Sequence, residues 1–232
     1  MIVNTRPVDL GQKTNLLLQK YKCNFVHLPL TKILKIKPAA QAIQNINNLS
    51  NYDLLIFTSQ SAVTYGAKYC QKTFQHNAKI PILAIGLATQ ESLKKFDLPS
   101  KTPSTFDSEG LAEVIKQKGY KKCMIFCGEK KPRILSLSDI EIDTFPCYAS
   151  QEEEKIDLLK IQGQDKLVFL IYTQQTLEVL MRQLSVNTIQ KIILIVASKR
   201  IKELAIKHGF KKCILADSPH DEEMVEAALA VY

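Results

Sequence analysis

Along this chain short apolar runs alternate with stretches whose apolar residues return at helical spacing, the pattern of repeated βα units. Residues 54–58, 82–85, 122–127, 167–172, 191–196 and 212–215 read as strands. The run at 54–58 is apolar up to Thr58, as a strand covered on both faces requires. Helices are predicted from Ser59 onward, from Gly86 to about Phe96, and over 109–118, 174–184, 198–208 and 221–230. Polar residues open them: Thr58 to Ser61, Asp107 or Ser108, and Thr173 to Gln175 supply the oxygens that satisfy free N–H groups. Upstream, a strand at 2–5 ends at Pro7, and a helix over 9–20 carries Leu10, Leu16, Leu17 and Leu18. Residues 24–36 read as one extended stretch interrupted by Pro29, Pro38 starts a helix lasting to the Asn and Ser cluster at 45–51, and 140–150 is extended again around Pro146.

Three of these segments recur in the same order at a nearly constant offset. YDLLIFTSQSAVTYGAKY (52–69) is answered by DKLVFLIYTQQTLEVLMRQL (165–184), IPILAIGLATQESLKKF (80–96) by KIILIVASKRIKELAIKHGF (191–210), and PSTFDSEGLAEVI (103–115) by DSPHDEEMVEAAL (217–229). The fold class expected is α/β, with two similar parallel-sheet domains facing each other. The second repeat lacks a first strand, which 2–5 supplies. The first domain is therefore discontinuous (1–30 and 151–232) around an inserted second one (37–145), joined by a two-stranded linker (31–36 and 146–150). Ligands of α/β sheets bind outside the carboxyl ends of the strands, so the paired turns are expected to line a shared cleft. GYKKCMIF (119–126) and GFKKCILA (209–216) look alike but break the repeat register; a glycine closing a helix before a basic strand entry explains both. The acidic run QEEEKID (151–157) reads as a solvated linker face.

No segment approaches 18 consecutive apolar residues, and MIVNTRP lacks a signal peptide's apolar core. Cys23, Cys70, Cys123, Cys127, Cys147 and Cys213 lie mostly in apolar stretches without disulfide-scaffold density. A cytoplasmic protein with no membrane attachment is expected. The net charge of +8 suits a polyanion. The basic residues are scattered, Trp is absent and no ribonucleoprotein-type aromatic motif occurs, so a small acidic ligand is favoured over nucleic acid.

No GxGxxG or GxxxxGK[ST] loop is present, and no Cys and His set has metal-ligand spacing. His76 and His208 read as surface helix residues and His27 as structural. What remains is polar turns at strand ends, where helix N-termini suit carboxylates and phosphates. Thr58, Ser59, Gln60, Ser61, Thr173 and Gln174 belong to such turns, and Arg6, Lys131, Arg133, Lys199 and Arg200 fall just after strand ends. Gly128 and Ser198 complete the candidate contacts. This is a site for a polyanion with no strong acid–base pair; a two-domain polyanion-binding protein without catalysis and a basic nucleic-acid module remain as alternatives.

FTSQSAV (57–63) resembles the FTSxxAV signature of the uroporphyrinogen-III synthase family, and AIGLATQESL (84–93) its VGxxTAxxL turn. NTRP (4–7), DSEGLAEVI (107–115), CGEKKPRIL (127–135) and Cys147–Tyr148 follow the family's order over the whole chain. The resemblance implies conversion of hydroxymethylbilane, a linear tetrapyrrole, into uroporphyrinogen III without metal or organic cofactor, and allows a transient hand-over of the labile substrate from the preceding pathway enzyme. The chain shows no large apolar face left over for a partner, so a monomer is expected. It implies substrate contacts at Thr58, Ser59 and Gln60, at Gly86, Ala88 and Thr89, and at Thr173 and Gln174. Tyr148 becomes the general-acid candidate, a weak one because an ordinary phenol has a pKa of about 10. The chain departs from the family at VASKRIKEL (196–204), where Ala197 replaces a glycine and Lys199 and Arg200 replace threonines, and at Pro132, which displaces the usual arginine to Arg133.

Overall fold

The computed structural model describes residues 1–76 and 80–232, apart from the side chains of 72–76, 186 and 187. The side chain of His76 therefore lies outside the described residues. The chain begins β1 (Ile2–Asn4), α1 (Val8–Lys20), β2 (Phe25–His27), β3 (Thr31–Lys35), α2 (Ala40–Asn47), β4 (Leu54–Phe57) and α3 (Gln60–His76). It continues through β5 (Ile82–Ala84), α4 (Leu87–Lys94), α5 (Ser108–Lys118), β6 (Lys122–Gly128) and β7 (Glu141–Glu152). The last part is β8 (Val168–Ile171), α6 (Gln174–Gln183), α7 (Val186–Ile189), β9 (Ile193–Val196), α8 (Lys199–Lys207), β10 (Lys212–Leu215) and α9 (Asp221–Leu229). Two compact units result, one of Met1–Lys32 with Gln151–Tyr232 and the other of Ile33–Ser150.

In the first unit the strands run β10-β9-β8-β1-β2, all parallel. Apolar strands with alternating side chains give this sheet two dry faces. Val3, Phe169, Leu194 and Val196 pack with Leu177, Leu180, Ile201 and Ala205 of α6 and α8. Ile2, Val168, Leu170 and Ile195 pack on the other face with Leu18 of α1 and Met224, Val225 and Ala228 of α9. Each of the larger side chains among these contributes about 1.5–3 kcal/mol by leaving water. The order reverses between β1 and β8, which makes their carboxyl ends the switch point of a doubly wound sheet.

The second unit's sheet is β5-β4-β6-β7-β3. β4 pairs in parallel with β5 and β6, and β6 with β7. The bonds Ile36 N–H to Cys147 O (3.2 Å) and Glu153 N–H to Leu30 O (3.1 Å) set β3 antiparallel to β7. Phe57 and Phe126, opposite each other in the β4–β6 register, stack 4.3 Å apart beneath α3. Here the reversal falls between β4 and β6.

The extended stretch expected at 24–36 is two strands in different sheets. Leu28 and Leu30 donate their N–H groups to Asn4 O and Thr5 O (2.8 and 3.3 Å), which turns the chain at Pro29. The helix expected from Pro38 begins at Ala40. Asp107 caps α5 by accepting from Gly110 N–H (2.8 Å), and Gly119 closes it in the left-handed region (φ 68) that favours glycine. Gly209, after α8, repeats that conformation (φ 92), so the two look-alike segments share a helix ending. Within the acidic run Glu152 pairs with Arg182 and Glu154 with Lys32 (3.0 Å), and Glu154 stays 85% exposed, as a solvated face does.

Candidate functional site

At the second unit's switch point the polar turn after β4 meets a tyrosine from β7. Between Cys127 and Gly128 the β6–β7 register shifts by one residue, so that Cys127 faces Pro146 and Gly128 faces Tyr148. Such a bulge re-aims the side chains beyond it. The Tyr148 ring lies over Gly128, where an added Cβ would sit 3.0 Å from Cζ. Any larger residue there would press on the ring, which would have to give by a few tenths of an ångström. Ser59, just before α3, accepts from Ala62 N–H (3.0 Å) and donates to Tyr148 Oη (3.0 Å). Burial pushes the Tyr148 phenol above its ordinary pKa, and the Ser59 hydrogen bond offsets part of that rise. Thr58 donates its hydroxyl to Phe126 O (3.1 Å). Gln60 is half-buried and Ser61 buried in the unit's own packing. After β5, Gly86 O accepts from Thr89 and Gln90 N–H (3.1 and 3.0 Å); Thr89 is buried, Ala88 is half-buried, and Phe106 covers Gly86. Lys131 is exposed, and Arg133 pairs with Glu109 (2.6 Å).

The first unit's switch point holds a buried charge pair. Arg6, just past β1, donates from Nη1 to Asp221 Oδ1 (2.5 Å), with the two side chains only 10% and 9% exposed. The same oxygen accepts from Thr14 Oγ1 (2.6 Å) and Tyr172 Oη (2.9 Å). The guanidinium also lies 4.4 Å from the Tyr172 ring centroid, a cation–π contact. Burial, then the Asp221 charge, pushes the Tyr172 phenol well up. The Arg6 peptide is held as firmly as its side chain. Its N–H reaches Asn4 Oδ1 (3.2 Å), Asn4 Nδ2 reaches Asn15 Oδ1 (2.8 Å), Asn15 Nδ2 faces His27 Nδ1 (3.1 Å), and His27 Nε2 faces Arg6 O (2.9 Å). The ring closes with one consistent set of donors when His27 is neutral and protonated on Nε2. His27, read from the sequence as structural, takes part here in an internal ring of hydrogen bonds. Arg6, predicted to bind substrate, has Asp221 as an internal partner.

Thr173 and Ser198 cap α6 and α8, accepting from Thr176 N–H (3.1 Å) and Ile201 N–H (3.4 Å). Gln174 donates to Glu178 (2.9 Å), while Lys199 and Arg200 are exposed on the first turn of α8. Sequence reasoning missed Thr14, Asn4, Asn15, Tyr172 and Asp221. The available signal was Asn4, a polar residue inside the strand predicted at 2–5.

An apolar cavity of about 640 Å³ in the first unit is lined by Ile156, Leu158, Ile161, Leu167 and Leu184. It lies at the amino end of β8, away from the switch point, and offers no cation for an acidic ligand. Among the described residues no group of three His, Cys, Asp or Glu side chains is placed to hold a metal ion, and no helix is long and apolar enough to cross a membrane.

A family model described as uroporphyrinogen-III synthase HemD matches residues 12–226. The fold is similar to that of a mutant uroporphyrinogen III synthase from the extremely thermophilic bacterium Thermus thermophilus, with a TM-score of 0.63 at 13% identity over 99% of this chain and 97% of that one. It is equally similar to uroporphyrinogen-III synthetase from Helicobacter pylori, with a TM-score of 0.63 at 14% identity over 100% and 99% of the two chains. Among curated proteins none matches the sequence.

Proposed function

Since the chain belongs to the uroporphyrinogen-III synthase family, we propose that it is a cyclising hydro-lyase that converts hydroxymethylbilane into uroporphyrinogen III in tetrapyrrole (heme) biosynthesis. Loss of the substrate's hydroxyl as water leaves an azafulvenium cation at one end of the linear tetrapyrrole. Attack by the substituted α carbon of ring D forms a spiro intermediate, which fragments and recloses with that ring inverted. Spontaneous closure at the free α position gives the symmetric type I isomer instead. The task is mainly orientation, and well-ordered intramolecular geometry supplies about 7–11 kcal/mol. A positioned donor to the leaving hydroxyl adds about 10²–10⁴-fold.

The hydroxyl of Tyr148 carries this reading by its place: it stands at the carboxyl ends of β4 and β6, hydrogen-bonded to Ser59 and protonated at neutral pH as an ordinary phenol is, while burial makes it a still weaker acid. A phenol in that state donates to the departing hydroxyl. The substrate's carboxylates are assigned to the helix starts at Gly86, Thr173 and Ser198 and to the exposed Lys131, Lys199 and Arg200. In this reading the domains are 1–30 with 151–232, and 37–145. The enzyme acts in the cytoplasm as a monomer, without metal or organic cofactor, and takes its labile substrate from the enzyme that makes it. The test is a coupled assay in which hydroxymethylbilane is generated in situ and the oxidised uroporphyrin isomers are separated. Type III product that depends on this protein and survives a chelator supports the proposal. Type I alone leaves a polyanion-binding protein without catalysis. A stable dimer in sedimentation at micromolar concentration would defeat the monomer.

A further inference from the structure

Ser59 has two hydrogen-bond partners that no substrate contact explains. Its oxygen accepts from Ala62 N–H, one of the free donors at the start of α3, and its own proton goes to Tyr148 Oη, both at 3.0 Å. A serine hydroxyl has one proton to give. With that proton on the phenol oxygen, the proton of Tyr148 must point away from Ser59. The result is a directed chain: helix N–H to Ser59, Ser59 to Tyr148, and Tyr148 outward. Hydrogen bonds in series polarise one another, and the chain begins at the positive end of a helix of 17 residues. Tyr148 has little freedom to leave it, because its ring rests on Gly128 and its backbone oxygen accepts from Glu129 N–H (2.8 Å).

We propose that Ser59 is a positioning residue for the general acid: it couples the N-terminus of α3 to Tyr148, directs the phenolic proton outward and steadies the phenol oxygen as that proton departs. The O–H bond of Tyr148 breaks as the departing hydroxyl takes that proton and leaves as water, and the tyrosinate is reprotonated from solvent, with no other co-reactant. The inference rests on the synthase reading, and it changes the role expected for Ser59 from holding substrate to acting through Tyr148.

A double-mutant cycle tests it. Ser59→Ala is expected to lower kcat about 5–10-fold, the worth of one hydrogen bond felt at the transition state, with KM little changed. In a Tyr148→Phe background the same substitution is expected to change kcat no further. Ser59→Thr, which keeps the hydroxyl, recovers most of the loss. Thermal melts of all four cycle members identify any variant that fails to fold, since loss of the cap weakens α3 equally in both backgrounds. An equal loss of kcat with and without Tyr148, or no loss in either, overturns the proposal. A second measurement does not depend on turnover. The ultraviolet titration of Tyr148, isolated as the difference between wild type and Tyr148→Phe, is expected to move to higher pH in Ser59→Ala, and an unmoved titration overturns the coupling. If wild type forms only type I product, the synthase reading fails, and the titration still decides whether Ser59 and Tyr148 act as one chain.

Discussion

Replacing Asp221 with Asn keeps the side chain's shape and removes the charge that faces Arg6. The structure sets the expected size of the effect. Both side chains are nine-tenths buried, and one carboxylate oxygen takes bonds from Arg6, Thr14 and Tyr172. Removing one member of such a pair strands a buried charge and costs about 3–5 kcal/mol. The amide oxygen still accepts, which places Asp221→Asn near the lower end of that range. The neighbouring pair Lys13–Glu222 (2.8 Å) is an internal control, since its side chains are 56% and 47% exposed and screened by water. Glu222→Gln is expected to cost less than about 1 kcal/mol. Hydrogen exchange at the β1 and β8 amides reports the stability of this unit by itself. The double replacement Arg6→Met with Asp221→Leu leaves no charge behind but takes the acceptor from the Thr14 and Tyr172 hydroxyls, so it should recover only part of the loss. If Asp221→Asn and Glu222→Gln cost the same, the buried pair does not hold the switch point and the reasoning fails.

Three further outcomes follow from the same geometry. Gly128→Ala puts a methyl 3.0 Å from the Tyr148 ring and is expected to cost about 1–3 kcal/mol and lower turnover; unchanged stability and rate would show that the ring is not confined. Brief alkylation of the native protein should label Cys23 and Cys213 while sparing Cys70, Cys123, Cys127 and Cys147, which are buried with thiols pushed up to about 12; peptide mass spectrometry reads the result, and early labelling of the buried four would contradict it. Those thiols also set an alkaline limit. From pH 9, the ordinary thiol value, the unfolded chain loses protons that the folded chain keeps until about 12. Stability is therefore complete below pH 9 and falls as pH rises through that window. Denaturant midpoints that stay flat from about pH 8 to 11 would refute it.

How far the sequence alone could be read depends on the range of the interactions involved. The strands were legible because a parallel strand covered on both faces must be apolar throughout, as Leu54 to Phe57 and Val168 to Ile171 are. The helix starts were legible because caps are local: Asp107, Thr173 and Ser198 bond N–H groups three residues on. The break at 28–30 was not, because it is fixed by bonds back to Asn4 and Thr5 in another strand. The same holds for the switch points. Asp221 meets Arg6, Thr14 and Tyr172 only after the sheet has formed, and Ser59 meets Tyr148 across β4, β6 and β7. Burial separated the candidate residues further. Ser61 and Thr89 looked like their neighbours in sequence, yet helical phase turns both inward.

The position of β1 has a consequence for synthesis. It lies between β2, the next strand along the chain after α1, and β8, which pairs Ile2 with Val168. As the chain emerges, Ile2 and Val3, fully buried at the end, have one neighbour strand and no second until the whole of Ile33–Ser150 has been made. At about 5–20 residues per second that wait is on the order of ten seconds. The inserted unit can close in the meantime from contiguous chain. Until then the nascent chain carries Ile2 and Val3 on an unpaired strand edge, and slowing the ribosome between the units would lengthen that exposure without altering the finished molecule.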